Sequence, residues 1–250
     1  MLRLHELTKT FGGVTALEDV SFDADEGLIT GVIGPNGAGK TTLFNLATGL
    51  YSQDRGKVYL GERDISRLPP EKLARLGVVR TFQNVELFGQ MTVLENVMVG
   101  LHTKSTSGIF SCALKLPRQI REEKAVRKRA AEWLTYTGIA DLAETAASSL
   151  PFGKGRLLEI ARALALEPRV ILMDEPAAGL NSRETMGLAD IIRKIKVSGI
   201  TVVLVEHDMD LVMDICDSVV VLNLGRKLAQ GTPRAIQENP DVIAAYLGDG

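Results

Sequence analysis

The chain lacks most of the features that place a protein quickly. It has two cysteines, Cys112 and Cys216, far apart and in no metal-ligand spacing. Neither a disulfide framework nor a cysteine-metal site therefore organises it, and a reducing compartment is the expectation. No apolar run reaches the ~18 residues that a membrane-spanning helix needs, so any membrane association has to run through a partner. Charge of one sign is not in excess either. Lys and Arg number 29 against 31 Asp and Glu, a net charge of -2, which leaves no global basic field for nucleic acid. Met1 leads straight into the alternating, strand-like Leu2-Arg3-Leu4, so no signal peptide is expected. Low-complexity runs and internal repeats are absent. What is present is an ordinary mixture, 45% hydrophobic and 24% charged over 250 residues. That is enough to bury a large core as one domain or two lobes.

Against that plain background one stretch stands out, Gly31 to Thr42. Gly34-Pro35-Asn36-Gly37-Ala38-Gly39-Lys40-Thr41 reads Gly-x-x-x-x-Gly-Lys-Thr, the P-loop pattern. The apolar run Ile29–Ile33 before it suits a buried strand, and Leu43-Phe44-Asn45-Leu46-Ala47 after Thr42 suits a helix. Strand, glycine-rich turn and helix form the context this motif requires. Pro35, Gly37 and Gly39 let the backbone curl until successive N–H groups face inward, toward nucleotide phosphates at the positive end of the helix. Lys40 adds a mobile charge for the β- and γ-phosphates. The Thr41 hydroxyl is a ligand of the hard-oxygen kind that Mg²⁺ prefers. The motif alone says nucleotide phosphate and does not separate kinase, GTPase and ATPase.

Other strand ends carry candidate chemistry. Leu2–Leu7 and Val20–Phe22 read as strands flanking a turn at Gly12-Gly13, with Phe11 in that turn. Phe11 either stacks on a nucleotide base, a contact worth roughly 1–3 kcal/mol, or packs into a small β-layer. Val78-Val79-Arg80-Thr81-Phe82-Gln83 is a strand closing on a polar residue. A glutamine there reaches a ligand bound outside the sheet, although alone it also reads as a solvated loop amide. Val170–Met173 is fully apolar, as parallel sheets require, and ends in Asp174-Glu175-Pro176. Adjacent carboxylates at the tip of a buried strand are costly without a positive neighbour, and Mg²⁺-nucleotide is a natural one. Asp174 suits the metal shell, and Glu175 suits polarising an attacking water. Thr201–Val205 is another buried strand, and it delivers His207 to the same edge.

Between these lies a different texture. Thr92-Val93-Leu94-Glu95 fits a capping box and opens a helix to Leu101. Ser105–Ser111 is a polar break, and Ile109–Leu116 is an apolar island that is either buried or meets a partner. Arg118–Gly138 reads as a long helix with a charge-laced solvated face, and Leu157–Leu166 as a strong helix stopped at Pro168. Residues 85–166 thus form a helix-dominated insert between 1–84 and 167–250. Ser218–Leu222 and Lys227–Ala229 read as a hairpin around Gly225. Pro233 starts a last amphipathic helix through Ile236, and Val242–Leu247 closes the chain.

The P-loop, Gln83, Asp174-Glu175-Pro176 and His207, in that order, resemble ABC transporter ATPase subunits over essentially the whole chain. The resemblance implies an α/β fold: a P-loop NTPase (RecA-like) core with an N-terminal antiparallel β-layer and a helical insert subdomain. It implies that ATP and Mg²⁺ are bound by Phe11, Gly34, Pro35, Asn36, Gly37, Ala38, Gly39, Lys40, Thr41 and Thr42, with Thr41, Gln83 and Asp174 at the metal. Glu175 is then the catalytic glutamate, with Gln83 and the γ-phosphate-sensing His207 beside it. Ala178-Gly179-Leu180-Asn181 matches the D-loop, with Asn where Asp is commoner. The family signature Leu-Ser-Gly-Gly-Gln appears as Leu150-Pro151-Phe152-Gly153-Lys154. Pro151 has neither hydroxyl nor N–H, which leaves the Gly153 N–H, at the start of the Leu157 helix, to meet a phosphate.

That Pro-aromatic-Gly signature is similar to one subfamily, the ATPases of bacterial importers for branched-chain amino acids and related amides. Arg80-Thr81-Phe82-Gln83-Asn84, Thr92–Val97, Glu206-His207-Asp208-Met209 and the ending Ala244 to Gly248 agree with it, and the long insert at His102–Arg129 resembles the larger of that system's two ATPases. The resemblance implies a second ATPase subunit in a homo- or heterodimer, transmembrane permease subunits, an indirect link to a periplasmic solute-binding protein, and no nucleic acid. The place of action is then the cytoplasmic face of the inner membrane, as a peripheral subunit. Alternatives are the ATPase of a lipid or lipopolysaccharide exporter, a soluble ABC protein of translation or DNA repair, and a P-loop kinase. The soluble proteins usually carry paired cassettes or a long coiled coil, and neither is present.

Overall fold

The computed structural model describes residues 1–82, 86–102 and 117–247. Strands are β1 (Leu2–Phe11), β2 (Val14–Ala24), β3 (Ile29–Ile33), β4 (Arg55–Leu60), β5 (Arg63–Asp64), β6 (Val78–Thr81), β7 (Val170–Asp174), β8 (Thr201–Val205), β9 (Ser218–Asn223) and β10 (Arg226–Gly231). Every residue of β3, β7 and β8 is buried, which explains their near-continuous apolar composition. They are the middle of a six-stranded sheet of order β10-β9-β3-β8-β7-β6, parallel except for the edge strand β10. Because β3, β8 and β7 are neighbours, the loops at their C-terminal ends emerge side by side. That edge is where open α/β sheets hold ligands.

A second sheet of order β2-β1-β4-β5 is antiparallel throughout. Leu2, Leu4 and Leu7 of β1 and Leu17, Val20 and Phe22 of β2 join one core with Leu43, Phe44 and Leu46 of helix α1 (Lys40–Ala47). Both strands are longer than their apolar residues imply, because polar positions continue the ladder out to Phe11↔Val14. Phe11 is therefore the last residue of β1 and not part of the turn. The turn itself is Gly12-Gly13, both at positive φ.

The chain divides into two compact units: Met1–Gln83 with Arg169–Ala178 and Thr185–Gly250, and Asn84–Pro168 with Gly179–Glu184. The second unit is built on helices α3 (Val93–His102), α4 (Pro117–Thr137) and α5 (Phe152–Leu164) around Val93, Val97, Leu134, Leu158 and Ala161; the first also holds α2 (Pro70–Arg75). The capping box is formed: Thr92 Oγ1 accepts from the Glu95 N–H at 3.2 Å and Glu95 Oε2 accepts from the Thr92 N–H at 2.8 Å. Helix α5 corrects the expected start at Leu157. It begins at Phe152 with Pro151 as N-cap, so Gly153 lies within its first turn. Glycine is a poor helix former, and at 153 a Cβ would crowd the end of the exposed Glu184 side chain, 2.5 Å from its Oε1. The apolar island 109–116, Cys112 and Gln83 lie outside the described residues.

The remaining helices are α6 (Ser182–Val197), α7 (Met209–Ile215), α8 (Pro233–Gln237) and α9 (Pro240–Leu247). Cys216 follows α7, its sulfur pressed on Gly31 of β3, where an added Cβ would sit 2.9 Å away. Burial pushes this thiol up to about 12, so it stays protonated and unreactive. In a Cys112→Ser variant, Cys216 is expected to resist alkylation at pH 8 until the protein is unfolded; fast labelling of the native protein would contradict this packing.

Candidate functional site

The loop between β3 and α1 is shaped by glycines that no other residue replaces. A Cβ on Gly34 (φ +152) would meet the Leu222 carbonyl oxygen at 2.1 Å, and one on Gly39 (φ +100) the Ala16 carbonyl oxygen at 2.6 Å. No side chain caps α1, so its leading N–H groups remain directed out of the helix end. They border a cleft of about 240 Å³ lined by Ala16, Asn36–Thr42, Glu175 and His207. Gly34 and Pro35 lie behind it and hold Lys40, whose Nζ donates to the Gly34 carbonyl at 2.6 Å and the Pro35 carbonyl at 2.9 Å. Only 7% of Lys40 is exposed. Burial lowers its pKa, and the carboxylates of Glu175 and Asp174 oppose that shift.

Glu175 and His207 come together, as their strand ends imply. Glu175 has a left-handed backbone, φ +47, which turns its side chain off the end of β7 while its N–H bonds the Val205 carbonyl of β8 at 2.9 Å. Such strain in a non-glycine residue persists only where neighbours enforce it. His207 Nε2 lies 3.1 Å from Glu175 Oε1. Beneath them, buried Glu206 accepts the Ala177 N–H at 2.6 Å and the His207 N–H at 3.0 Å, tying the loops after β7 and β8 together. Burial raises the Glu206 pKa and these backbone bonds pull it partly back. Sequence reasoning gave Glu206 no role; its signal was a carboxylate directly following the four apolar residues Val202–Val205.

Asp174 is 4% exposed and its Oδ2 lies 2.5 Å from Arg80 Nη2. Arg80 was also missed as a site residue. A charge within the apolar strand Val78–Thr81 is the mark that points to it, because a buried charge needs a partner. The Thr41 hydroxyl and Asp174 carboxylate are the hard oxygen donors that suit Mg²⁺, which keeps several waters and takes few protein ligands. The described residues contain no cluster of three or more His, Cys, Asp or Glu fit to hold a metal by itself.

Of the expected site residues that are described, Phe11, Gly34, Pro35, Gly153 and Asp174 do not line the cleft. Phe11 is 42% exposed, with its ring edge-on to Tyr51 at 5.4 Å and Lys9 Nζ 5.2 Å from its centroid. Gly153 belongs to the second unit, where it packs against Glu184. An unexpected neighbour is Tyr246 of α9, whose phenol pKa is raised by burial, a shift that the nearby Gly34 backbone opposes.

A glycine cradle at a helix N-terminus, a buried lysine and a glutamate–histidine pair on adjacent parallel strands define a P-loop nucleotide-binding domain. The chain belongs to the ABC transporter family, which residues 17–178 match. Residues 226–250 match a further family described as branched-chain amino acid ATP-binding cassette transporter. Salmonella typhimurium LivG, a high-affinity branched-chain amino acid transport ATP-binding protein, is 46% identical over 250 residues, covering 100% of this chain and 98% of that protein. An ATP-binding cassette of an ABC transporter solved in its ADP conformation is 35% identical, with TM-score 0.86 over 99% of this chain and 98% of that one. A dimeric post-hydrolysis cassette bound to ADP and phosphate is 27% identical, with TM-score 0.78 over 94% and 99%. Among the described residues no helix is long and apolar enough to cross a membrane.

Proposed function

We propose that the chain is the ATP-hydrolysing motor subunit of an importer for branched-chain amino acids. The observation that carries the chemistry is the cleft shared by Asn36–Thr42, Glu175 and His207. The solute assignment rests on the likeness to LivG over the full length and on the match of the last 25 residues to the branched-chain cassette family.

In this reading the α1 N–H groups and Lys40 hold the β- and γ-phosphates, and Phe11 with Tyr51 offers the base an exposed aromatic surface. Thr41 and Asp174, with Gln83 as a third donor, would hold Mg²⁺, which would supply neutralisation of charge on the phosphate oxygens. Glu175 accepts the proton of the attacking water, and His207, bonded to it, fixes its carboxylate and meets the γ-phosphate side. Gly153, in the first turn of α5, serves the nucleotide of a second chain, so that two copies, or this chain and a related ATPase, enclose ATP head to tail. ATP offers a γ-phosphate that both surfaces share and ADP does not, so binding closes the pair and hydrolysis opens it. Residues 85–166 and Gln83 pass the motion to permease subunits, which are served in turn by a periplasmic solute-binding protein. The subunit thus works at the cytoplasmic face of the inner membrane, without nucleic acid.

Uptake of radiolabelled leucine, isoleucine and valine by cells carrying Glu175→Gln on the chromosome tests this reading. Loss of uptake of these solutes is expected. Normal uptake alongside a defect in lipid or lipopolysaccharide export would overturn the importer assignment and leave the ATPase intact.

A further inference from the structure

We infer that Arg80 is a positioning residue for the metal shell: it fixes the Asp174 carboxylate relative to the helix that carries Thr41. The inference rests on the Mg²⁺-ATP reading above. The Asp174 carboxylate has one hydrogen-bond partner among the described residues, Arg80 Nη2 at 2.5 Å. Arg80 in turn reaches α1 with its other terminal nitrogen, Nη1, which donates to Asn45 Oδ1 at 2.6 Å and stands 3.5 Å from Thr48 Oγ1. Its guanidinium carbon lies 5.7 Å from the ring centre of Phe44, also on α1, and 5.2 Å from that of Phe82. The side chain is 7% exposed, and its buried Nε has no hydrogen-bond partner among the described residues.

These contacts have one thing in common. Each leads to a segment that carries a candidate metal donor: α1 begins with Lys40-Thr41, β7 ends in Asp174, and Phe82 directly precedes Gln83. A planar fork held by Asn45 and two aromatic rings is rigid, so it sets where the Asp174 oxygen stands and not merely its charge. The simpler alternative is that Arg80 only neutralises a buried carboxylate. Lysine would then serve nearly as well, since it keeps the charge and loses only the fork.

The experiment compares wild type, Arg80→Lys and Asn45→Ala by Mn²⁺ titration followed by electron paramagnetic resonance, with a non-hydrolysable ATP analogue bound. Analogue affinity in EDTA is measured alongside. Arg80→Lys is expected to weaken Mn²⁺ binding by about 10-fold or more, the usual cost of losing a group that orients a metal ligand, with metal-free analogue affinity unchanged within about twofold. Asn45→Ala leaves the ion pair intact, and it is expected to shift Mn²⁺ affinity in the same direction. It carries the test if Arg80→Lys does not fold. Wild-type Mn²⁺ affinity in the variant that folds, or an equal fall in metal and metal-free analogue binding, would overturn the positioning role. A wild-type protein that bound neither analogue nor Mn²⁺ would overturn the nucleotide reading itself, and the role of Arg80 with it.

Discussion

Glu175→Gln is expected to bind ATP as wild type does and to lose about 10²–10⁴-fold in turnover, the usual contribution of a positioned general base. Glutamine has nearly the same volume, and its amide still reaches His207, whose Nε2 lies 3.1 Å from Glu175 Oε1 in the wild type. The left-handed backbone at 175 is set by its bond to Val205 and needs no charge. In the proposed mechanism, what disappears is the acceptor for the proton of the attacking water. With hydrolysis stopped, the closed pair of chains has no route back to ADP. The variant should therefore sediment with ATP at about twice its 27.1 kDa chain mass, while wild type returns to monomer as ATP is consumed. Hydrolysis by the variant at the wild-type rate would remove Glu175 from the chemistry.

Lys40→Ala is expected to weaken ATP binding on the order of 10²-fold, since a charge-assisted bond to phosphate contributes roughly 1.5–3 kcal/mol and each 1.4 kcal/mol is tenfold. The same residue leaves a signature in the stability of the nucleotide-free protein. Burial lowers the Lys40 pKa below its ordinary 10.5. The charged form is thus disfavoured by folding at neutral pH, and that cost fades as pH rises through the lowered value toward 10.5. Wild type should gain thermal stability relative to Lys40→Ala across that window. A gap between the two proteins that stays constant, or moves the other way, would show that Lys40 is not held desolvated against Gly34 and Pro35.

What was legible in the sequence is what local pattern encodes. Gly34, Gly39 and Lys40 stand at fixed spacing because one turn must admit backbone contacts that any Cβ would block. The strands before Asp174 and His207 are apolar but for Thr201 because both faces are covered, and so their polar ends were conspicuous. Partnerships across the chain were not legible. Arg80 meets Asp174 over 94 positions, and nothing in either segment names the other. Glu206 looked like a flank of His207 until its bond to Ala177, 29 residues away, tied it to the loop that carries Glu175. The start of α5 was misplaced because Gly153 and Gly155 are poor helix formers, yet the helix runs through both from Phe152. Phe11 was set in a turn because its strand continues through polar residues, where alternation of apolar side chains gives no guide.

Calorimetric titration of the wild-type protein with ATP in the presence of Mg²⁺ tests most directly whether the Gly34–Thr42 cradle holds the nucleotide. Saturable binding of one ATP per chain is expected, with the heat largely lost in Lys40→Ala. Absence of binding at millimolar ATP, or binding that Lys40→Ala leaves undiminished, would contradict it.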